Sequence, residues 1–122
     1  MMPAAIYAAG SEVALGDFSM TLDRAVLIPG GKNSPSVVTI EIDYTVRNIS
    51  RGPVSLAGFP VLALDDRDGT SHPAEPDAAS AQTLAPGVGI KAIARFHIPE
   101  KSADPLGWRL RLGSGGPAVL LR

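Results

Sequence analysis

Val37-Val38-Thr39-Ile40-Glu41-Ile42-Asp43-Tyr44-Thr45-Val46-Arg47-Asn48 is the stretch that decides the fold. Val38, Ile40, Ile42, Tyr44 and Val46 fall on one parity; Thr39, Glu41, Asp43, Thr45 and Arg47 fall on the other. A period of two marks a β-strand with one face in a core and the other in water. A parallel strand covered on both faces would instead read as an unbroken apolar run. The chain is therefore expected to be antiparallel and all-β.

The alternation recurs in both directions. Upstream, Ile6-Tyr7 opens a short edge strand, and a strand over 18–28 sends Phe18, Met20 and Leu22 inward and Ser19, Thr21 and Asp23 outward. Downstream, Arg51-Gly52-Pro53 turns the chain into short strands at 54–56 and 61–64. Ile90, Ala92, Ala94, Phe96 and Ile98 then alternate with Lys91, Ile93, Arg95 and His97. Trp108 shares its parity with Leu110 and Leu112, against Arg109 and Arg111, so it is predicted to be buried. A last strand runs over 118–121. The stretch between His72 and Gln82 is the least patterned, with room for one helical turn after Pro76. Thirteen Gly and eleven Pro lie between the apolar runs, as turn punctuation. Seven to nine strands at this spacing predict a single β-sandwich domain over residues 1–122.

Composition excludes more than it assigns. The 122 residues suffice for one core without metals or disulfides. A net charge of -1, with no run of like charge, gives no electrostatic footprint for nucleic acid. The absence of cysteine removes disulfides, iron–sulfur ligation and thiol catalysis. No apolar run approaches the ~20 residues of a membrane-spanning helix. The N-terminal MMPAAIYAAG has neither a basic nor an apolar leader region. The expected location is cytoplasmic if Met1 is the native start, and cell-envelope or secreted if a leader was trimmed.

No constellation encodes a reaction. Asp65-Asp66-Arg67-Asp68-Gly69 ends in the strongest short hairpin signal. A calcium-loop reading from Leu64 to Glu75 lacks the first carboxylate and is interrupted by Pro73, so a turn is expected. Gly87-x-Gly89-x-x-Ala92 and Gly113-x-Gly115-x-x-Ala118 fit a loose dinucleotide fingerprint without the helix that gives it meaning. His72 and His97 are expected to be solvated, and no serine sits in a nucleophile elbow. Catalytic, metal and cofactor sites are therefore expected to be absent. If the strands at 37–48, 90–98 and 108–112 share one sheet, its outer face carries Glu41, Asp43, Arg47, Lys91, Arg95, His97, Arg109 and Arg111. Such a face is either a solvated ion-pair array or a ligand surface.

Val46-Arg47-Asn48-Ile49-Ser50, Asp66-Arg67-Asp68-Gly69, Pro86-Gly87 and Phe96-His97-Ile98-Pro99 together resemble the telokin-like, immunoglobulin-fold domain of unknown function found in bacterial lipoproteins and secreted antigens. The likeness covers about residues 10 to 112. It implies an immunoglobulin-like sandwich and no catalytic residue. The leading expectation is a non-enzymatic binding or adhesion module of the cell envelope or the secreted fraction, with a protein partner. The alternative is a proteinase inhibitor of the same fold, acting through the loop at 29–35 or at 72–82.

Overall fold

A computed structural model describes residues 6–28, 37–59, 61–66, 69–74, 82–99, 108–113 and 116–121. The strands are β1 (Ile6–Tyr7), β2 (Glu12–Leu15), β3 (Phe18–Ile28), β4 (Val37–Asn48), β5 (Val54–Ser55), β6 (Leu62–Asp65), β7 (Ser71–Pro73), β8 (Thr83–Leu84), β9 (Gly89–Pro99), β10 (Arg109–Leu112) and β11 (Ala118–Leu120). They form a five-stranded sheet in the order β1-β11-β10-β6-β7 and a four-stranded sheet in the order β2-β3-β4-β9. β5 and β8 form a separate two-stranded ribbon. The chain is an all-β sandwich, and among the described residues its two main sheets hold nine strands. All main-sheet pairings are antiparallel except that of β1, which runs parallel to β11.

The core lies where the inward parities meet. Met20, Ile40, Ile42, Val46, Phe96 and Ile98 from the four-stranded sheet face Leu64, Leu110, Leu112 and Val119 from the five-stranded one, all nearly inaccessible. Trp108 is 1% exposed, as its parity requires. Burying side chains of this size stabilises by about 1.5–3 kcal/mol each relative to exposure.

Four expectations change. Arg109 and Arg111 do not join the face of β4 and β9, because β10 pairs with β6 and β11 in the other sheet. Alternation fixes a residue's face and leaves open which sheet the strand enters. His72 is not solvated: the register Leu64↔His72 puts it on inward parity in β7. Its ring stacks on Trp108 at 5.6 Å and 2°, with 14% of the side chain exposed. Ser19 has outward parity yet is only 3% exposed. Finally, 56–58 forms a 3₁₀ turn capped by the Ser55 hydroxyl, where the end of a strand was expected. The expected helical turn after Pro76, and most of the two candidate inhibitory loops, lie outside the described residues.

The motif residues have structural tasks. Asn48 is fully buried at the end of β4. Its amide donates to the carbonyls of Gly52 (2.8 Å) and Leu84 (2.9 Å). Its side-chain oxygen accepts from the Ser50 amide (2.8 Å) and hydroxyl (2.7 Å). One side chain thus ties the four-stranded sheet to the β5–β8 ribbon. Asn48-Ile49-Ser50 has the form of a glycosylation acceptor, but a buried amide so engaged is not one a glycan can reach. The Asp-Gly turn closes the β6–β7 hairpin: Gly69 sits at φ 86°, its amide donates to the Asp66 carbonyl, and the Asp66 carboxylate accepts from the Thr70 amide. Both glycine patterns lead into strands, β9 and β11.

Candidate functional site

The outer face of the four-stranded sheet gathers most of the polar residues singled out in the sequence. Register lines run straight across it: Glu12↔Thr21↔Thr45↔Lys91 in one row and Ala14↔Ser19↔Arg47↔Gly89 in the next. Beyond them come Arg24↔Asp43↔Ile93 and Val26↔Glu41↔Arg95. Strands lie about 4.8 Å apart, so the four-residue rows span roughly 14 Å and the three-residue rows about 10 Å.

The central part is shaped by two local departures from regularity. The β3–β4 register shifts between Leu22 and Arg24, which makes Asp23 the extra residue of a β-bulge. Bulges re-aim side chains; here the Asp23 carboxylate comes to lie beside Thr45, whose hydroxyl donates to its Oδ2 at 2.7 Å. Gly89, opposite Arg47, leaves that side chain uncrowded from the β9 side. Arg47 reaches across β3 to Glu12, at 2.6 Å from Oε2. The Ser19 hydroxyl donates to the same oxygen at 2.8 Å. The arch of Arg47 and Glu12 over Ser19 accounts for the burial of that hydroxyl.

Between these groups lies a shallow concavity of about 180 Å³, lined by Glu12, Ser19, Thr21, Asp23, Thr45 and Arg47. Every lining side chain is polar. Lower on the face, Arg95 donates to Glu41 at 3.1 Å and Thr39 lies 3.2 Å from His97 Nδ1. Glu41, Asp43, Lys91, Arg95 and His97 therefore lie on β4 and β9 beside or beyond the concavity without lining it.

Arg109 and Arg111 belong to a second polar cluster, outside the five-stranded sheet. Arg111 donates to the Ser71 hydroxyl at 3.0 Å, and its Nε lies 3.5 Å from Asp65 Oδ2, an ion-pair distance without hydrogen-bond geometry. Asp66 and His72 approach to 3.3 Å at the β6–β7 turn. Among the described residues no three His, Cys, Asp or Glu side chains converge as metal ligands would, and no helix is long and apolar enough to cross a membrane.

Sequence reasoning placed Thr21, Asp23, Thr45 and Arg47 on outward parity and missed Glu12, because β2 is too short to announce itself. The parity change in β3 was a readable signal. Phe18, Met20 and Leu22 face inward on even numbers, and Ala25 then packs against the core on an odd one.

No family profile matches the chain. It is 24% identical over 96 residues to the uncharacterized protein YxkC of Bacillus subtilis, covering 68% of this chain. The chain spans about half the length of that curated relative, 53%. Among solved structures it resembles a conserved hypothetical protein of Bacillus anthracis (TM-score 0.68, 18% identity, covering 85% of this chain and 87% of the other). It also resembles the secreted protein MPT63 of Mycobacterium tuberculosis (TM-score 0.66, 18% identity, 95% and 94% covered). An uncharacterized β-sandwich protein of Clostridium difficile gives a TM-score of 0.62 at 12% identity, with 98% and 95% covered. These likenesses show the β-sandwich fold.

Proposed function

We propose that this protein is a non-enzymatic, extracytoplasmic binding module that engages a macromolecular partner through the polar face of its four-stranded sheet. The observation that carries the reading is the contrast between the two sides of that sheet. Its inner side is committed to the core, with Met20, Ile42, Phe96 and Ile98 wholly buried. Its outer side presents carboxylates, hydroxyls and cations in fixed rows on the rigid strands β3, β4 and β9. Rigid elements hold recognition groups with little ordering cost on binding.

The telokin-like, immunoglobulin-fold resemblance and the secreted neighbour MPT63 support an extracytoplasmic setting. Acid–base turnover would need two carboxyls driven apart in pKa, one of them desolvated. Asp23 is exposed, and the side chain of Glu12 is 48% exposed, so this face favours binding over chemistry. The expected protein partner would meet the broad face, where Glu41, Asp43, Lys91 and Arg95 supply complementary charge for orientation.

The test immobilises the full chain and a face variant, Glu41→Ala with Arg47→Ala and Arg95→Ala, and passes envelope and secreted extracts over both. Capture by the parent chain and its loss in the face variant are expected. Equal capture by both would move the function elsewhere. Hydrolytic turnover that disappears on replacing a single Asp or Glu would refute the non-enzymatic reading.

A further inference from the structure

The concavity at the bulge of β3 has a hydrogen-bonding inventory more specific than that of the face around it. Each of its two carboxylates has one oxygen engaged by the protein. Glu12 Oε2 takes Ser19 and Arg47, and Asp23 Oδ2 takes Thr45. Among the described residues, Glu12 Oε1 and Asp23 Oδ1 accept nothing, and the Thr21 hydroxyl has no partner. Thr21 is the cross-strand neighbour of both Glu12 and Thr45, so it lies between the two carboxylates. The engaged oxygens act as anchors: they fix the direction in which the other two point.

Arg47 reaches Glu12 through NH2 alone, which leaves the rest of its guanidinium to donate. Lys91 follows Thr45 in the same row. The charges of Glu12 and Asp23 are thus offset by those of Arg47 and Lys91. A phosphate or carboxylate ligand would face two anchored carboxylates, and an ammonium or guanidinium would face the Arg47 cation, with Lys91 next along the row from Thr45. What suits two oriented acceptors, a hydroxyl and neighbouring donors, with no excess charge, is a neutral ligand rich in hydroxyl groups. Such a ligand both donates and accepts at each oxygen. The concavity measures about 180 Å³. That is space for one compact ring, not for an extended chain.

We propose that the concavity formed by Glu12, Thr21, Asp23, Thr45 and Arg47 binds a neutral sugar residue, presented by a polysaccharide or by a glycosylated protein. The proposal rests on the binding-module reading and names the chemistry of its contact. Asp23 and Glu12 accept from ligand hydroxyls, Arg47 donates to ligand oxygens, and Thr21 does either. The bulge serves to bring the second carboxylate into reach. Hydrogen bonds that exchange water for a ligand each yield little net affinity, so a single sugar is held in the millimolar range and tight capture needs several copies.

The test titrates the full, isotope-labelled chain with the methyl glycosides of glucose, galactose and mannose and follows backbone amide shifts by nuclear magnetic resonance. Saturable shifts centred on Thr21, Asp23 and Thr45 are expected for at least one of them. Asp23→Ala should weaken that binding about ten-fold, the worth of one charge-assisted hydrogen bond. Arg109→Ala, exposed on the other sheet, should not change it. Thr45→Val, which removes the anchor of Asp23 with little change in shape, should also weaken it and covers the case in which Asp23→Ala disturbs the bulge. A soluble neutral glucan and a glycoprotein before and after deglycosylation then separate the two sources.

No saturable shift up to about 0.1 M sugar, where a 10 mM site would be mostly filled, overturns the proposal. So does tighter binding of glucose 6-phosphate or lysine methyl ester than of any neutral sugar. Capture of a partner by the polar face with all sugars silent defeats this inference and leaves the binding-module reading standing. Hydrolysis of a bound sugar defeats both.

Discussion

Replacing Asn48 should be among the most damaging single changes available outside the apolar core. Asn48→Ala withdraws four side-chain hydrogen bonds from a fully buried position. The Gly52 carbonyl can take the single Ser50 hydroxyl proton, released from Asn48 Oδ1, at 2.8 Å. The Leu84 carbonyl loses its side-chain donor and the Ser50 amide its acceptor. At about 1–3 kcal/mol for each buried group left unsatisfied, the two groups bound the loss at about 6 kcal/mol, and with partial relaxation it comes to roughly 2–5 kcal/mol. Against a total of about 5–15 kcal/mol, this is a drop in melting temperature of about 8–20 °C, taking roughly 4 °C per kcal/mol at this chain length. Asn48→Asp has nearly the same shape and should do no better near neutral pH, because a carboxylate would confront two carbonyls with no proton to give. Burial among carbonyl oxygens raises the folded-state pKa of the introduced carboxyl above its unfolded value. The penalty is therefore full above the folded pKa and recedes as pH falls and the group protonates. Ser50→Ala, which spares the Asn48 amide donors, should cost only about 0.5–1.5 kcal/mol. Thermal melts of the three variants between pH 4 and 8 provide the assay. An Asn48→Ala melting point within 2 °C or so of the parent, below the ~0.5 kcal/mol that surface substitutions produce, would refute the view that this side chain clamps sheet to ribbon.

Further outcomes follow from the packing. Trp108 fluorescence should be blue-shifted in the native state and move to the red on unfolding, and Trp108→Ala should cost about 3–5 kcal/mol; native emission at the solvent-exposed position would overturn the assignment of the inner face. Gly116→Ala should destabilise by more than about 2 kcal/mol in denaturant titration, since a Cβ there would run into the Leu112 carbonyl oxygen; a neutral result would show that the β10–β11 turn yields easily. Glu12→Gln should change stability by no more than about 1 kcal/mol, because its partner Arg47 and Glu12 itself are each 48% exposed at the side chain; a larger loss would mean that the arch over Ser19 is structural. Far-ultraviolet circular dichroism should show a β spectrum, and a helix content above about a quarter, near that of mixed domains, would contradict the fold.

The strands longest in residues were the most legible, because alternation needs several repeats to stand out. β3, β4 and β9 were evident from parity, and Trp108 was placed in the core by its two leucine neighbours. β2, β7 and β8 have four residues or fewer, too few for a period to emerge. Missing β2 concealed Glu12, one of the six residues that line the concavity. Missing β7 left His72 in a loop, whereas pairing with Leu64 turns it onto Trp108. Arg109 and Arg111 were given the right parity and the wrong sheet, since periodicity is a property of one strand and sheet order depends on what the strand pairs with.

The residues that carry the family resemblance are spent on the fold. Asn48 and Ser50 join β4 to the ribbon, and Asp66 and Gly69 close a hairpin. Pro86-Gly87 sets the turn whose Gly87 amide returns to the Asn48 carbonyl. A sequence can therefore keep all these motifs and the sandwich they specify while its outward face changes freely, which is why the motifs speak to architecture and say nothing of a ligand. Function should be sought among polar groups that the fold does not use. In the four-stranded sheet these include the unengaged oxygens of Glu12 and Asp23 and the hydroxyl of Thr21, brought together by a bulge that interrupts an otherwise regular ladder. The position of the bulge beside the polar concavity, between the longest strands of the sheet, makes it the local feature through which this face acquires a shape of its own.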